Sequence, residues 1–207
     1  MSDVGVLGRP AEYDRERSLN AALAVFWRKG YEATSLADLC DATSMSKSTL
    51  YAVFGDKRQL FLSAIRAYSD DLVADLRKNY EMSAGPLEFI EQILRSVARE
   101  AGPRGERRGC LVMNTATEFA QSDRDVARIV SHALEQMAGV FEAALTRARR
   151  DGKIRVGAPA AMALYLVSTI AGMKTMVKGG RSEHELHLLV DMVMGQIGAA
   201  RAKGTKT

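Results

Sequence analysis

Gly30-Tyr-Glu-Ala-Thr-Ser-Leu-Ala-Asp-Leu-Cys-Asp-Ala-Thr-Ser-Met-Ser-Lys-Ser-Thr-Leu-Tyr-Ala-Val-Phe-Gly-Asp-Lys57 reads as two short helices and the turn between them. Ser35-Leu-Ala-Asp38 has the capping-box pattern, in which a hydroxyl accepts from a free helix amide and the acid reaches back to the cap. That helix ends near Ala42 or Thr43. Ser46 offers a second hydroxyl cap to a helix over Lys47 to Phe54, and Gly55 breaks it. Two helices of roughly two turns joined by a three-residue turn (Thr43, Ser44, Met45) are the outline of a helix-turn-helix. Leu36, Leu39, Cys40, Met45 and Leu50 are spaced to share a core with Phe26. The face left outward carries Lys47, Ser48, Thr49 and Tyr51. Such residues suit a DNA groove, since Lys is a point charge for phosphate or guanine and hydroxyls bond phosphates or base edges.

Upstream, apolar residues recur at helical spacing from Asp14 to Lys29, and Gly30 supplies the left-handed stop. Downstream, Asp56 to Gln59 caps a long helix carrying Leu60, Phe61, Ala64, Ile65, Tyr68, Leu72 and Leu76 on one face. The amides at its start, with Lys57 beside them, form a ready anion site. Further helices follow over Leu87 to Arg99, Cys110 to Ala120, Asp123 to Asp151, Ala160 to Val177 and Glu183 to Ala202. Strand signals are scarce. The fold class is therefore all-α. A three-helix helix-turn-helix segment over residues 1–55, preceded by a short flexible arm over 1–12, leads into a larger helical domain over 56–207.

The 207 residues, 47% hydrophobic and 26% charged, describe a chain able to bury a sizeable core. A pI near 9.1 does not locate a DNA surface, because Met1 to Lys57 carries seven Lys/Arg against eight Asp/Glu. Net charge bears on solubility and non-specific association; local pattern must find the site. The apolar stretch Ala158 to Met173 is too short to span a bilayer and ends at Lys174, so a buried helix is expected. Two cysteines make no disulfide framework, and residues 1–10 lack a signal pattern. The expected compartment is the cytoplasm.

The extended stretch resembles the TetR family of bacterial transcriptional regulators. The likeness is carried by Gly30-Tyr31, Thr34-Ser35, the Ser46-Lys47-x-Thr49-Leu50-Tyr51-x-x-Phe54 core and Lys57, with Gly8-Arg9-Pro10 and Phe26-Trp27-Arg28-Lys29 before it. That resemblance implies an all-helical dimer, usually a repressor, whose DNA-binding domain over 1–55 reads a near-palindromic operator and whose domain over 56–207 dimerises and senses the small-molecule inducer that releases it. It implies recognition-helix contacts from Lys47, Thr49 and Tyr51, and phosphate contacts from Ser35 and Lys57. Ser44 stands where the family usually has Gly, so the turn must avoid or tolerate a left-handed residue. Ser48 stands at a position often Gly.

Outside the motif, Cys110 follows a loop bearing Arg104, Arg107 and Arg108 and begins a helix. Cations and helix amides favour a thiolate, so a redox or electrophile sensor at Cys110 is one alternative function; a small buried residue is the plain reading. A helical ligand-binding protein without DNA binding is another alternative. His184 and His187 have no third ligand nearby in sequence, and no nucleotide loop or catalytic constellation stands out. No metal, cofactor or enzymatic activity is expected. The last two helices are expected to form a four-helix bundle across a two-fold axis. Leu189 and Val193 would lie in that interface, where Gly195, Gly198 and Ala199 admit a neighbouring backbone.

Overall fold

The computed structural model describes residues 12–103, 105–119, 122–155 and 157–199. Apart from Glu12, the expected N-terminal arm lies outside them. Among the described residues there are nine helices and no strand: α1 (Glu12–Lys29), α2 (Leu36–Thr43), α3 (Lys47–Phe54), α4 (Lys57–Met82), α5 (Pro86–Arg99), α6 (Leu111–Phe119), α7 (Arg124–Arg150), α8 (Pro159–Lys178) and α9 (Glu183–Ala199). The chain forms two compact units, Met1–Tyr68 and Ser69–Thr207.

The first unit extends past Gly55 because the opening turns of α4 complete its core. Leu39, Leu50 and Leu60 are fully buried with Phe26 and Ile65. Phe26 meets Phe61 edge-on at 5.0 Å, Tyr31 packs on Phe61 at 4.8 Å, and Trp27 meets Tyr68 at 5.0 Å. Leu36, Cys40 and Met45, expected in this core, are only half-buried. A two-turn helix can turn one narrow stripe inward, and Leu39 and Leu50 already fill it.

In the second unit α7 packs against α8, α6 and α5, and α5 packs on α9. The pattern follows from the sequence: α7 buries Val126, Ile129, Val130, Ala133, Met137, Val140, Phe141, Ala144 and Ala148, one stripe at 3–4-residue spacing. Phe89 of α5 stacks on Phe141 at 5.6 Å. Across α5 and α9, Arg95 donates to Glu91, Asp191 and the His187 ring.

α8 agrees with the expected helix over Ala160 to Val177 and includes Lys174, but at 20 residues it is longer than the apolar stretch suggested, long and apolar enough by length and composition to cross a membrane. Lys174 is accommodated by pairing with Glu100, while Ala163, Leu166, Val167, Ile170, Met173 and Val177 are buried among the other helices.

Candidate nucleic-acid interface

The starts of α2 and α3 are each fixed by a serine side chain. Ser35 is the N-cap of α2: its Oγ accepts from Asp38 N at 3.1 Å, and Ser35 N donates to Asp38 Oδ2 at 3.0 Å. The reciprocal pair satisfies two amides that the first helical turn leaves open. Asp38 is tied further by Lys29, whose Nζ donates to Oδ1 at 2.6 Å. That charged hydrogen bond, with help from the Ser35 amide and hydroxyl, holds the Asp38 carboxyl down to about 2, from an ordinary 3.8. Having accepted from the helix, the exposed Ser35 hydroxyl keeps its proton as a donor.

The turn takes the left-handed residue that glycine would have supplied at no cost. Ser44 sits at φ 56°, ψ 28° and donates its amide to the Cys40 carbonyl. Ser46 then caps α3, accepting from Thr49 N at 3.1 Å. Its Oγ also lies 2.9 Å from Ser48 Oγ and 2.8 Å from Thr49 Oγ1. The three hydroxyls thus form one cluster at the start of α3, able to present either donors or acceptors outward by rotating in concert.

Leu50 and Phe54 anchor α3 inward, so Lys47, Ser48, Thr49 and Tyr51 are all exposed, as the spacing requires. Tyr51 leaves 42% of its surface free. The Lys47 ammonium stands 5.7 Å from the Tyr51 ring centre, a cation–π arrangement that groups the two side chains on one face. At the other end of α3, the Arg15 guanidinium lies over the Phe54 ring at 5.4 Å.

Lys57 is placed differently from a simple helix-start cation. Its Nζ stands 4.3 Å over the Tyr31 ring. One amide of the α4 N-terminus is already taken, since Asp56 Oδ1 accepts from Gln59 N at 2.8 Å. Tyr31 and Lys29 are the residues that sequence reasoning passed over here. Both were visible as types, but their partners stand 26 and nine residues away across turns, where no periodicity connects them.

Cys110 lies outside this unit. It is buried, 8% exposed, immediately before α6. Two of the arginines expected to surround it have other partners: Arg107 Nη2 donates to the Ala101 carbonyl at 2.9 Å, and Arg108 pairs with Glu106 at 2.8 Å. Arg104 lies outside the described residues.

Residues 19–64 match the model of bacterial regulatory proteins of the tetR family, and residues 86–193 match that of the tetracyclin repressor-like C-terminal domain. Over 148 residues the chain is 30% identical to an uncharacterized HTH-type transcriptional regulator, YezE, of Bacillus subtilis, covering 72% of this chain and 76% of that one. It is 29% identical to the HTH-type transcriptional repressor ComR of Escherichia coli over 183 residues, 86% of each chain. Among solved structures, a cysteine mutant of the regulator CifR complexed with 26-bp double-strand operator DNA superposes with a TM-score of 0.77 at 27% identity, covering 90% of this chain and 98% of that one. Reduced NemR of Escherichia coli has the same fold, with a TM-score of 0.83 at 18% identity and coverage of 92% and 100%.

Proposed function

The chain belongs to the TetR family of bacterial regulatory proteins, and from that membership we propose that it is a cytoplasmic, ligand-responsive transcriptional repressor. It binds a near-palindromic operator as a homodimer and performs no covalent chemistry. The observation carrying the DNA-binding half is the exposed α3 face, where Lys47, Ser48, Thr49 and Tyr51 stand together while Leu50 and Phe54 hold the helix down. Lys47, Thr49 and Tyr51 reach into the major groove, and Ser35 and Lys57 take phosphates on either side. That ComR is a repressor and that the CifR structure holds operator DNA support the same reading.

The dimer forms through α8 and α9. On α8, Leu164 and Tyr165 are 63% and 42% exposed; on α9, Leu188 and Met192 are 52% and 66% exposed. A side chain added at Gly172 or Gly195 would meet nothing within 4 Å of its own chain. Apolar and small residues left exposed on two consecutive helices need a partner. Leu189 and Val193, expected in this interface, instead face the protomer's own core: Val193 is 4% exposed and Leu189 packs beside it.

An inducer acts by binding the second unit better in one conformation than in another, which lowers the population able to bind DNA. The deciding experiment is a gel shift of the chain's own promoter DNA across a salt series. Phosphate neutralisation gives steep, linear loss of affinity in log salt. Absence of any retarded band at low salt would return the chain to the class of helical ligand-binding proteins.

A second reading makes Cys110 the sensor. Its support is position: the thiol directly follows Gly109, held at φ 75°, and directly precedes α6. Oxidation or alkylation would add bulk where only 8% of the residue is open, and the packed helices would shift in response. Release of wild type, but not Cys110→Ser, from DNA after mild peroxide or an alkylating agent is the expected outcome. Equal behaviour of the two returns Cys110 to packing.

A further inference from the structure

We propose that Ser48 and Thr49 read the operator as a coupled pair with one outward proton between them. Of the two DNA groups they meet, one is an acceptor and the other is the exocyclic amine of adenine or cytosine. The inference deepens the regulator reading above and rests on it.

The coupling follows from counting at Ser46. A serine hydroxyl has one proton to donate and two lone pairs with which to accept. One lone pair of Ser46 Oγ is taken by Thr49 N, which donates to it at 3.1 Å in capping α3. That leaves one proton and one lone pair for two hydroxyls, Ser48 Oγ at 2.9 Å and Thr49 Oγ1 at 2.8 Å. Ser46 must therefore donate to one of them and accept from the other. The hydroxyl that gives its proton to Ser46 turns only lone pairs outward. The one that receives keeps its own proton free. The two states exchange when all three protons rotate together, but neither offers DNA a second proton.

The pair sits where this count matters. Ser46, Ser48 and Thr49 are all exposed, and the buried Leu50 and Phe54 hold α3 so that this edge stays outward. Phosphate oxygens, guanine O6 and N7 and thymine O4 only accept, whereas adenine N6 and cytosine N4 donate. An acceptor-only hydroxyl against a carbonyl, with water squeezed out, leaves lone pairs facing each other without a proton. Two acceptors under Ser48 and Thr49 are thus excluded; an acceptor and an amine are matched. Glycine, often found at the position of Ser48 in the family, would leave no pair to couple.

The test starts from sequences selected by the full chain out of random DNA. Affinity is then measured by fluorescence anisotropy for the best operator and its single-base variants. Replacing A by G, or C by T, with the pairing base changed to match, swaps an amine for a carbonyl at constant ring size. In wild type one such change per half-site should weaken binding about tenfold, the size of a desolvated acceptor left without a donor. Ser46→Gly removes the shared oxygen, and glycine serves nearly as well as serine at a helix N-cap. Both hydroxyls then keep their protons, so the same change should cost about twofold or less. Ser48→Ala, on an exposed helix position, breaks the pair from the other side and should flatten the same preference. Thermal melts check that both variants fold. The proposal is overturned if wild type shows no such position, or if every amine preference survives undiminished in both variants. DNA binding without the preference sinks the coupled pair alone; absence of DNA binding sinks it together with the regulator reading.

Discussion

Lys29, in the last turn of α1, donates to Asp38, in the first turn of α2, at 2.6 Å. The pair joins two helices across the Gly30 turn, which is also closed by the buried Thr34 hydroxyl donating to the Gly30 carbonyl at 2.6 Å and by Thr34 N donating to the Tyr31 carbonyl at 3.1 Å. Because Asp38 also completes the Ser35 capping box, one carboxylate ties the end of one helix to the beginning of the next.

That arrangement has a pH signature. Asp38 is held down to about 2 against an ordinary 3.8. A depressed carboxyl contributes stability that is complete above its unfolded value and lost as pH falls through its folded value. Acid should therefore weaken the first unit between about pH 4 and 2. Lys29→Met should move the Asp38 titration, followed by carboxyl NMR, back toward 3.8 and shift the acid transition upward. An unmoved titration would mean that the capping box alone sets it.

Ser44 carries a backbone cost at φ 56°. A non-glycine residue there costs about 1–2 kcal/mol, whereas glycine costs about 0.5–1 kcal/mol in unfolded-state entropy. The first outweighs the second. Ser44→Gly should gain about 0.5–1 kcal/mol in urea unfolding, and Ser44→Val should lose stability.

Gly55 has the opposite sensitivity. Its φ of 79° with ψ −131° is a combination that side chains resist, whereas an added Cβ would only touch Gln59 at an ordinary 3.4 Å, so the cost is one of backbone conformation. Gly55→Ala should cost about 1–3 kcal/mol and perturb the α3–α4 joint. Wild-type stability in the alanine variant would remove that role.

Tyr51→Ala and Lys47→Ala should weaken operator binding with helix content and melting temperature nearly unchanged, since both side chains are exposed. A lost phosphate contact lowers the salt slope by about one, and a lost base contact relaxes one operator position by about 1–3 kcal/mol. Unchanged affinity in both variants would take α3 out of the interface.

The dimer face can be told from the core by paired substitutions. Leu188→Glu and Met192→Glu, on the open side of α9, should give folded monomers in sedimentation. Val193→Glu, placing a charge where 4% of the residue is exposed, should unfold the unit instead. Dimers surviving both exposed-face changes would move the interface elsewhere.

The sequence by itself determined the helices, their caps and the outward face of α3. Those features are local: a Ser or Asp caps within three residues, a glycine stops a helix where it stands, and period 3.6 says which side chains share a face. It also determined family membership, because spaced residues from Gly30 to Lys57 repeat a known pattern. Tertiary structure decided what depends on residues distant in sequence. Cys40 and Met45 lie half outside the core because Leu39 and Leu50 fill it. Lys174 is partly withdrawn from solvent because Glu100, 74 residues earlier, pairs with it. Lys57 lies over Tyr31 and not over an empty helix end. On α9, Leu188 is exposed while its neighbour Leu189 is partly buried against the core; periodicity gives a stripe, but only packing against α5 fixes which side of the helix it covers.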